Sequence, residues 1–346
     1  MGSTGPSEPP PTSPSAAESA DARAVRKAEK RERKQRARKL QARLVFGALA
    51  LVRWTPRWLW NGALAPLAAL FVPRLLRQRA DEQLRLAFGE RFDARARRGI
   101  VRRMLRHHAR TLREVALYRR ADAAFVGRMI EAEPEFAPRV RELLAKGRGL
   151  VVVTPHYGNF ELMPAWFKHF LGAHGGVVGK RNVNPWFDAE MVAMRARHGV
   201  ETIYQDESPR KLLRILSSGG IVGILPDQDI VRLPGIFVDF FGRPAWTTTG
   251  PAHLSMLADA PLVPAYLEWN GARYRLRLAE PLFPDRSAPR DAEIERLTKG
   301  WTRSFEAAIA AQPDHWIWFH ARWRTTRERA EKRRSEGRVR HTRTSS

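Results

Sequence analysis

A histidine and a glutamate five positions apart are the strongest chemical signal in this sequence. His156 and Glu161 lie in the run TPHYGNFE, which directly follows the apolar run GLVVVT. On a single helix this spacing would put the two side chains about 140° apart, so they would not share a face. The spacing suits a loop after a buried strand for His156 and the first turns of the next helix for Glu161. We therefore expect the carboxylate to reach back to one imidazole nitrogen, which would make His156 a general base.

The position of this pair in the chain also favours catalysis. Active sites of open α/β sheets lie at the carboxyl ends of strands, where the loop of His156 is expected. The N-terminus of the following helix would offer backbone N–H groups to a developing oxyanion. The plain alternative is a structural or capping pair, since a histidine and an acid at this spacing also arise by chance. The sequence has no cysteine and no G-x-S-x-G elbow, so no activated cysteine or serine nucleophile is evident.

Further charged residues are expected at the same edge of the sheet. Lys180 and Arg195 flank a segment that should approach it, and either could bind phosphate. Asp227 and Asp229 follow an apolar run and could hold a divalent metal for sugar-nucleotide chemistry, which leaves a metal-dependent glycosyltransferase as an alternative. No other convincing set of ligands accompanies the two acids, so we predict no metal site. Without a metal, they would position a basic residue or orient the site.

Strands and helices are expected to alternate from residue 147 onward. Short apolar runs predict strands at residues 149–154, 176–179, 200–204 and 221–225. Amphipathic stretches predict helices at residues 159–171, 184–198, 208–218, 249–258 and 293–311, with Asn184 and Pro185 as a helix start. Residues 262–269 and 273–279 predict a hairpin on an Asn270-Gly271 type I′ turn. The alternation implies a parallel or mixed sheet covered by helices, and residues 81–146 before it are expected to be helical.

The charge of the chain points to an anionic partner. The 346 residues include 61 Lys plus Arg against 36 Asp plus Glu, a net charge of +25, and 43% are hydrophobic, which is enough for a folded core. Residues 21–43 and 322–343 together supply +15 of this charge. These two segments leave a nucleic-acid-binding protein as an alternative. We interpret the first 20 residues as a disordered tail and the basic run after them as a solvated helix.

The segment after the basic run favours a lipid partner over nucleic acid. Residues 44–72 are largely apolar but interrupted, and neither piece reaches the length of about 20 apolar residues that spans a bilayer. Trp54, Trp58 and Trp60 accompany Arg53 and Arg57, a combination that suits the lipid headgroup zone. We expect this segment at a membrane surface. A helical hairpin packed on the protein's own core is the alternative, and a single spanning helix remains open.

A longer series of motifs resembles a known family. The runs GLVVVTPHYGNFEL, KRNVNPWFDAEMVAMRARHG, ILPDQD and GIFVDFFGRPAWTTTG look like the bacterial lipid A late acyltransferases, in the wider lysophospholipid acyltransferase group. The mycobacterial phosphatidylinositol-mannoside acyltransferases are similar, and the resemblance covers about residues 45–320. It implies a glycerolipid-acyltransferase-like α/β fold: a mixed sheet flanked by helices, with an N-terminal membrane-associated helical region.

The resemblance also implies an activity and a location. A fatty acyl group would pass from acyl carrier protein or acyl-CoA, as co-substrate with no other cofactor, to a hydroxyl of an anionic glycolipid such as a lipid A precursor. A phosphatidylinositol-mannoside or a lysophospholipid is the alternative acceptor. The catalytic domain would lie on the cytoplasmic side of the inner membrane, and nucleic acid would not be a partner.

Particular residues acquire roles from the resemblance. His156 becomes the catalytic base and Glu161 its partner. The positions expected to bind substrate are Asn159, Lys180, Arg195, Asp227, Asp229, Phe241 and Gly242. The long basic ends depart from the family. We therefore divide the chain into a disordered, basic tail (1–43), a hydrophobic membrane-associated segment (44–80), an acyltransferase domain (81–320) and a basic C-terminal tail (321–346).

Overall fold

A seven-stranded sheet forms the core of the protein. The computed structural model describes residues 16–52, 54–118 and 122–333. The strands are β1 (Ile130–Ala132), β2 (Leu150–Val153), β3 (Gly175–Gly179), β4 (Val200–Tyr204), β5 (Ile221–Ile224), β6 (Gly235–Phe240), β7 (Arg243–Thr248), β8 (Leu262–Trp269) and β9 (Tyr274–Leu278). The large sheet has the order β1-β9-β8-β2-β5-β3-β4, and its neighbours are parallel except for β8 and β9. Strands β6 and β7 form a separate antiparallel hairpin.

Helices surround this sheet on both faces. They are α1 (Ala16–Val52), α2 (Arg57–Leu59), α3 (Ala65–Leu70), α4 (Arg74–Phe88), α5 (Ala94–Tyr118), α6 (Ala123–Met129), α7 (Phe136–Ala145), α8 (Met163–Leu171), α9 (Pro185–Arg197), α10 (Arg210–Ser217), α11 (Gly250–Ala258) and α12 (Arg290–Ala311). A π-helical turn (Trp60–Leu64) joins α2 to α3, and 3₁₀ turns occur at Gly89–Arg91, Phe160–Leu162 and Pro313–His315.

The central strand β2 shows why the sequence forms a sheet with two covered faces. Successive side chains of a strand point to opposite faces, so a strand covered on both sides needs an apolar residue at each position. Leu150 and Val152 pack in one apolar cluster with α7 and α8, whereas Val151 and Val153 pack in another with α5 and α12. Each of these four side chains is at most 3% exposed. Burial of one such side chain stabilises the fold by about 1.5–3 kcal/mol.

The predicted elements of the second half of the chain are confirmed. The predicted strands correspond to β2–β5 and the predicted helices to α8–α12, with ends that shift by a few residues. The start of α9 is also as predicted, because the Asn184 side chain accepts the backbone N–H of Trp186 at 3.2 Å and Pro185 is the first helical residue. The mixed, mostly parallel sheet flanked by helices follows the predicted fold class.

The hairpin of β8 and β9 is antiparallel as predicted, but the predicted type I′ turn is wrong. Trp269 pairs with Tyr274, which leaves a four-residue loop between the strands. Asn270 Oδ1 accepts the backbone N–H groups at positions 272 and 273 and organises this loop. The asparagine therefore acts through its side chain, as in other Asx turns, and not by adopting a left-handed backbone.

A two-residue turn closes the β6–β7 hairpin. The sequence patterns predict neither of its two strands. Phe240 pairs with Arg243, and the intervening Phe241 and Gly242 have positive φ angles of 55° and 70°. Two positive φ angles are the signature of a type I′ turn. Phenylalanine rarely adopts this conformation, so the sequence offers no local signal for the turn.

The basic N-terminal run forms most of α1. The helix begins at Ala16, inside the segment predicted to be disordered. Its second half rests on the body of the protein: Ala42 is buried and the carbonyl of Arg38 accepts the Asn184 side-chain N–H at 3.0 Å. Residues 1–15 and 334–346, Arg53 and the side chain of Arg57 lie outside the described residues. Of the helices in the described part of the chain, none has both the length and the hydropathy needed to cross a membrane.

Candidate active site

Asp227 holds the His156 imidazole at the carboxyl edge of the sheet. The distance between His156 Nδ1 and Asp227 Oδ1 is 2.7 Å, and the backbone N–H of His156 donates to Asp227 Oδ2 at 2.9 Å. The indole N–H of Trp316 donates to the same Oδ2 at 2.8 Å. The Asp227 side chain is 1% exposed and the His156 side chain 26% exposed. His156 Nε2 has no hydrogen-bond partner among the described residues, so this nitrogen is available to a substrate.

The two residues meet because their strands are neighbours in register. His156 comes three positions after Val153, the last residue of β2, and Asp227 comes three positions after Ile224, the last residue of β5. Val153 and Ile224 pair directly across the parallel ladder. Two loops of equal offset therefore leave the same edge of the sheet side by side and bring the imidazole to the carboxylate.

The loop of His156 also depends on glycine at position 158. Gly158 has a φ of +58°, and a Cβ built on it would lie 1.8 Å from the carbonyl oxygen of Leu267. Any other residue would clash with β8 and adopt a strained backbone. The Gly158 N–H donates to the carbonyl of His315 at 3.0 Å, so the loop is fixed from both sides.

The protonation state of the pair follows from its burial and its partners. Burial alone would lower the pKa of His156, but the charge of Asp227, the hydrogen bond to it and the charge of Glu161 outweigh that effect and raise the pKa above its ordinary value. Burial would raise the pKa of Asp227, yet the charge of His156 and the hydrogen bonds from His156 and Trp316 lower it to about 2. Asp227 is therefore ionised, His156 Nδ1 carries the ring proton, and Nε2 of the neutral ring holds the lone pair of a base.

The predicted contact between Glu161 and the imidazole is wrong. Glu161 instead forms a bidentate ion pair with Arg195 of α9, with Nε 3.0 Å from Oε2 and Nη2 2.6 Å from Oε1. The planar guanidinium matches both carboxylate oxygens, which a single imidazole nitrogen does not. Glu161 still acts on His156 at a distance, because its charge helps to raise the histidine pKa. The catalytic role assigned to Glu161 stays a prediction.

Asn159 is buried behind the loop of His156. It is 0% exposed, and its side-chain N–H donates to Glu114 Oε2 of α5 at 2.9 Å. The same carboxylate oxygen accepts the Tyr274 hydroxyl at 2.6 Å. A completely buried amide cannot contact a substrate that arrives from solvent. The structure therefore corrects the predicted substrate-binding role of Asn159 and assigns it the support of the loop.

The Asp227 and Asp229 carboxylates bind different partners, His156 and Thr325 respectively. Asp229 is 1% exposed, its Oδ1 accepts the Thr325 hydroxyl at 2.5 Å and its Oδ2 accepts the Thr325 backbone N–H at 2.7 Å. The Asp229 backbone N–H donates to His320 Nε2 at 2.7 Å. The oxygens of the D-x-D pair thus do not converge on a common point, which removes the geometric basis for the metal-dependent alternative. Asp229 anchors the chain and does not face a substrate.

One cluster of described residues has the spacing of a metal site: His107, Asp314 and His315. Its hydrogen bonds use the lone pairs that a metal would need. His107 Nδ1 accepts from Arg110 at 3.1 Å and His315 Nε2 accepts the backbone N–H of Trp269 at 3.0 Å. A neutral imidazole has one lone pair, so the nitrogens that face Asp314 carry protons. We interpret the cluster as a hydrogen-bonded anchor.

Neither a hydrogen bond nor an ion pair joins the remaining predicted residues to His156 or Asp227 in the described part of the chain. Lys180 follows β3 and is exposed. Phe241 packs on Phe88 with ring centroids 5.0 Å apart, and its backbone N–H donates to Glu306 at 2.9 Å. Gly242 completes the β6–β7 turn. The substrate-binding roles of Lys180, Phe241 and Gly242 stay predictions.

An apolar cavity of about 70 Å³ lies beside the Glu161–Arg195 pair. Its lining extends from Thr154 and Phe160, at the carboxyl ends of the strands, to Ala173 and Ile221 at their amino ends. The cavity thus follows the strands for most of their length, between the sheet and α8. Gly175 and Gly176 of β3 and Gly223 of β5 line part of it. An apolar lining of this kind suits a short stretch of hydrocarbon.

Comparison with known proteins identifies the family. The model of the bacterial lipid A biosynthesis acyltransferases matches residues 29–325, which include the loops of His156 and Asp227 and the lining of the cavity. The chain belongs to this family. The match begins in α1 and ends at Thr325, so it includes the first five residues of the segment predicted to be a basic C-terminal tail. Two of these residues, Arg322 and Thr325, are buried.

Curated relatives of this acyltransferase family member are about a quarter identical to it over the aligned part of the chain. A phosphatidylinositol mannoside acyltransferase of Mycobacterium tuberculosis is 25% identical over 184 residues, which are 52% of this chain and 56% of the relative. The lipid A biosynthesis lauroyltransferase of Escherichia coli is 28% identical over 192 residues (55% and 60%). The lipid A biosynthesis myristoyltransferase of Escherichia coli is 24% identical over 288 residues (80% and 84%). The chain thus spans little more than half the length of the first two relatives.

The sequence contains a signal for one partner of His156, Asp227, but none for Trp316. Asp227 follows its predicted strand at the same offset as His156, and this equality would have suggested a partner once the two strands were placed side by side. Trp316 has no comparable signal. It lies 160 residues after His156 and reaches Asp227 only through the tertiary fold.

Proposed function

We propose that this family member is an O-acyltransferase that moves a fatty acyl group from a thioester to a hydroxyl of an anionic glycolipid. The observation that carries the proposal is the His156–Asp227 pair, built like a general base at a sheet edge next to an apolar cavity, in a chain that matches the acyltransferase family over residues 29–325. Acyl carrier protein or acyl-CoA supplies the thioester. The activities for which its relatives are named support transfer to lipid A or to phosphatidylinositol mannoside.

The mechanism needs one base and no covalent enzyme intermediate. His156 Nε2 takes the proton from the acceptor hydroxyl while the oxygen attacks the thioester carbonyl carbon. Asp227 stabilises the imidazolium that forms, because its ionised carboxylate accepts a hydrogen bond from Nδ1–H, with Nδ1 2.7 Å from Oδ1. The tetrahedral intermediate then expels the thiolate as the carbon–sulfur bond breaks, and the imidazolium returns its proton to the sulfur. The products are the acyl ester and the free thiol of the carrier.

The neighbouring cavity provides a place for the hydrocarbon part of the donor. Its lining is mainly apolar, and two of its charged residues, Glu161 and Arg195, stand at the end near the catalytic loop. An acyl chain inserted along the strands would leave its thioester at the carboxyl edge of the sheet, where His156 lies. Arg195, fixed by Glu161, is placed to interact with an anionic group of either substrate.

The decisive experiment is transfer with purified full-length protein. Acyl carrier protein or coenzyme A carrying a fatty acyl thioester is incubated with a lipid A precursor or with a phosphatidylinositol mannoside, and the lipids are analysed by mass spectrometry. We expect a gain of one acyl group on one of the two acceptors and stoichiometric release of thiol. Release of thiol without any acylated lipid would indicate a thioesterase. Neither product from any donor and acceptor pair would contradict the proposed function.

The raised His156 pKa predicts the pH dependence of turnover. Only neutral His156 is a base, so kcat is expected to fall with a one-proton slope as pH falls through a value above the ordinary histidine pKa of 6.5. Since the charge of Glu161 contributes to this rise, the acidic limb should move to lower pH in the Glu161→Gln variant. The measurement is kcat against pH at saturating substrates. An acidic limb below 6.5, or one that does not move in the variant, would contradict this assignment.

A membrane surface is part of the proposal because the substrate is a lipid. Trp58 and Phe71 of the N-terminal segment are 74% and 80% exposed, and the exposed residues Trp54, Leu70 and Leu75 accompany them. The basic helix α1 precedes this segment and would be attracted to anionic lipid. We propose that the protein lies on the cytoplasmic face of the inner membrane, with these apolar side chains in the headgroup region.

Replacement of Trp58 and Phe71 by glutamate should release the protein from lipid. Burial of each side chain in the headgroup region contributes on the order of 2 kcal/mol, so the double variant should bind phosphatidylglycerol vesicles at least about tenfold more weakly. Sedimentation with vesicles measures this binding. The matched control is Leu257→Glu on α11, because Leu257 is 58% exposed and lies outside the N-terminal segment. Equal binding by the double variant and the control would rule out the proposed contact.

A further inference from the structure

The C-terminal strap, defined as residues 313–325, contacts both loops of the active site. Trp316 forms an isolated antiparallel bridge with Tyr157, and the backbone N–H of Ile317 donates to the carbonyl of His156 at 3.2 Å. The Trp316 indole N–H donates to Asp227 Oδ2 at 2.8 Å. One continuous segment therefore holds the base through its backbone and the carboxylate through a side chain.

The C-terminal end of the strap also binds the loop that contains Asp227 and Asp229. Thr325 uses its hydroxyl and its backbone N–H on the two oxygens of Asp229, at 2.5 and 2.7 Å. His320 Nε2 accepts the Asp229 N–H at 2.7 Å, and burial lowers the pKa of His320 to about 4, which keeps it a neutral acceptor. The Asp227–Asp229 loop is thus attached to the strap at four residues: Trp316, His320, Arg324 and Thr325.

The strap is itself anchored to the body of the protein. Asp314 accepts Arg103 Nε of α5 at 2.7 Å, and the hydrogen bonds from His107, His315 and Arg103 lower its pKa despite its burial. The backbone N–H of Trp318 donates to Met104 Sδ of α5 at 3.4 Å, and within the strap its indole N–H donates to the carbonyl of Pro313 at 2.6 Å. At the other end, the completely buried Arg322 donates to the carbonyl of Trp246 and to the Thr247 hydroxyl in β7. The strap is therefore a rigid support and not a loose tail.

We infer that Trp316 is a positioning residue that orients Asp227 against His156 and that the C-terminal strap keeps both active-site loops in register. The inference rests on the proposed function. The indole N–H fixes the rotation of the Asp227 carboxylate, because it occupies Oδ2 and leaves Oδ1 for the imidazole. It also places a positive dipole end near the pair. Removal of this dipole favours the imidazolium, since less positive charge remains near His156.

The test compares two tryptophans that share the strap. Trp316→Phe removes the donor to Asp227, whereas Trp318→Phe removes an indole donor to Pro313. Both side chains are at most 1% exposed, so the two losses of packing are similar. We expect Trp316→Phe to lower kcat about 10-fold with KM changed less than twofold, and to move the acidic limb of the kcat profile to higher pH. The Trp318→Phe variant should leave that limb where it is in the wild type.

Two further measurements keep the inference testable if Trp316→Phe does not fold. Benzothienylalanine at position 316 keeps the shape of tryptophan and lacks the N–H donor, so it should reproduce the shift of the limb. At the far end, Thr325→Val removes the hydroxyl that donates to Asp229, and Thr325→Ser keeps it. We expect kcat to fall several-fold in the valine variant and to stay within twofold of wild type in the serine variant.

The outcomes separate this inference from the proposed function. Wild-type kcat in the Trp316 variants, or a lower kcat with an unmoved acidic limb, overturns the positioning role. Equal kcat for Thr325→Val and Thr325→Ser overturns the role of the strap at Asp229. If the wild-type protein transfers no acyl group, or if His156→Asn is fully active, the proposed function fails and the strap is a purely structural element.

Discussion

Replacement of His156 by asparagine is expected to lower kcat by about 10²–10⁴-fold, the range that general base catalysis contributes. Asparagine can place its amide nitrogen near the position of Nδ1 and keep a donor to Asp227, but it has no base in place of Nε2. Asp227 would in addition keep two hydrogen-bond donors, the backbone N–H at position 156 and the Trp316 indole N–H, so its buried charge would remain hydrogen-bonded. The variant should therefore fold normally.

The measurement for His156→Asn is acyl transfer at saturating donor and acceptor, together with the thermal unfolding temperature. Near wild-type stability with a loss of turnover would locate the effect in the chemistry. The KM for the donor should change little, because the imidazole does not line the apolar cavity. More than a tenth of wild-type turnover in this variant would contradict the role of His156 as the base.

Replacement of Asp227 by asparagine should cost nearly as much as loss of His156. The neutral amide can accept on one side only, whereas Asp227 accepts from His156 Nδ1, from the His156 backbone and from Trp316. If the amide N–H group faces the ring, it donates to Nδ1 and moves the ring proton to Nε2, where the base is needed. We expect kcat to fall about 10²–10⁴-fold with little change in KM.

Glu161→Gln is the comparison that tells the two carboxylates apart. Glu161 contacts Arg195 and not the imidazole, so we expect a smaller fall in kcat, accompanied by a higher KM as Arg195 loses its charged partner. Measurement of kcat and KM for Asp227→Asn and Glu161→Gln in the same assay decides the question. If Glu161→Gln loses as much kcat as Asp227→Asn at unchanged KM, the histidine and glutamate pair inferred from spacing would regain the leading role.

Asp227 contacts His156 and Glu161 does not, which shows what the spacing of two residues in the chain can establish. His156 and Glu161 are close in the chain, and their spacing favours a strand, a loop and a helix start, which the structure has. The spacing between His156 and Glu161 does not determine which basic group binds the Glu161 carboxylate. The Glu161 carboxylate pairs with Arg195 because a bidentate ion pair, largely removed from solvent, is stronger than a single contact to an imidazole. Arg195 lies on α9, so this competition arises only when the sheet is assembled.

Asn159 and Asp229 illustrate the same limit for polar residues close to the site in sequence. Both were expected to bind substrate, yet both are buried and support the loops from behind. Asn159 donates to Glu114 and Asp229 accepts from Thr325. A sequence indicates that such a residue is near the active loop, but the direction of its side chain depends on partners 45 and 96 positions away.

Local sequence determined most of the secondary structure and the location of the catalytic loop. The LVVV run, the Asn184-Pro185 helix start and the alternation of strands and helices predict β2, α9 and the mostly parallel sheet, because they reflect propensities and periods that act within a few residues. The prediction that His156 is the base also arises at this level, from a single histidine in a loop after a buried strand.

Only the tertiary structure decided which groups surround that base. The parallel register of β2 with β5 brings Asp227 to His156, the packing of α9 directs Arg195 to Glu161, and the C-terminal strap carries Trp316 to Asp227 from 89 positions away. These contacts join parts of the chain that are distant in sequence. Their energies depend on burial and on competition among several charged groups, and neither quantity exists until the sheet and its helices have closed around the site.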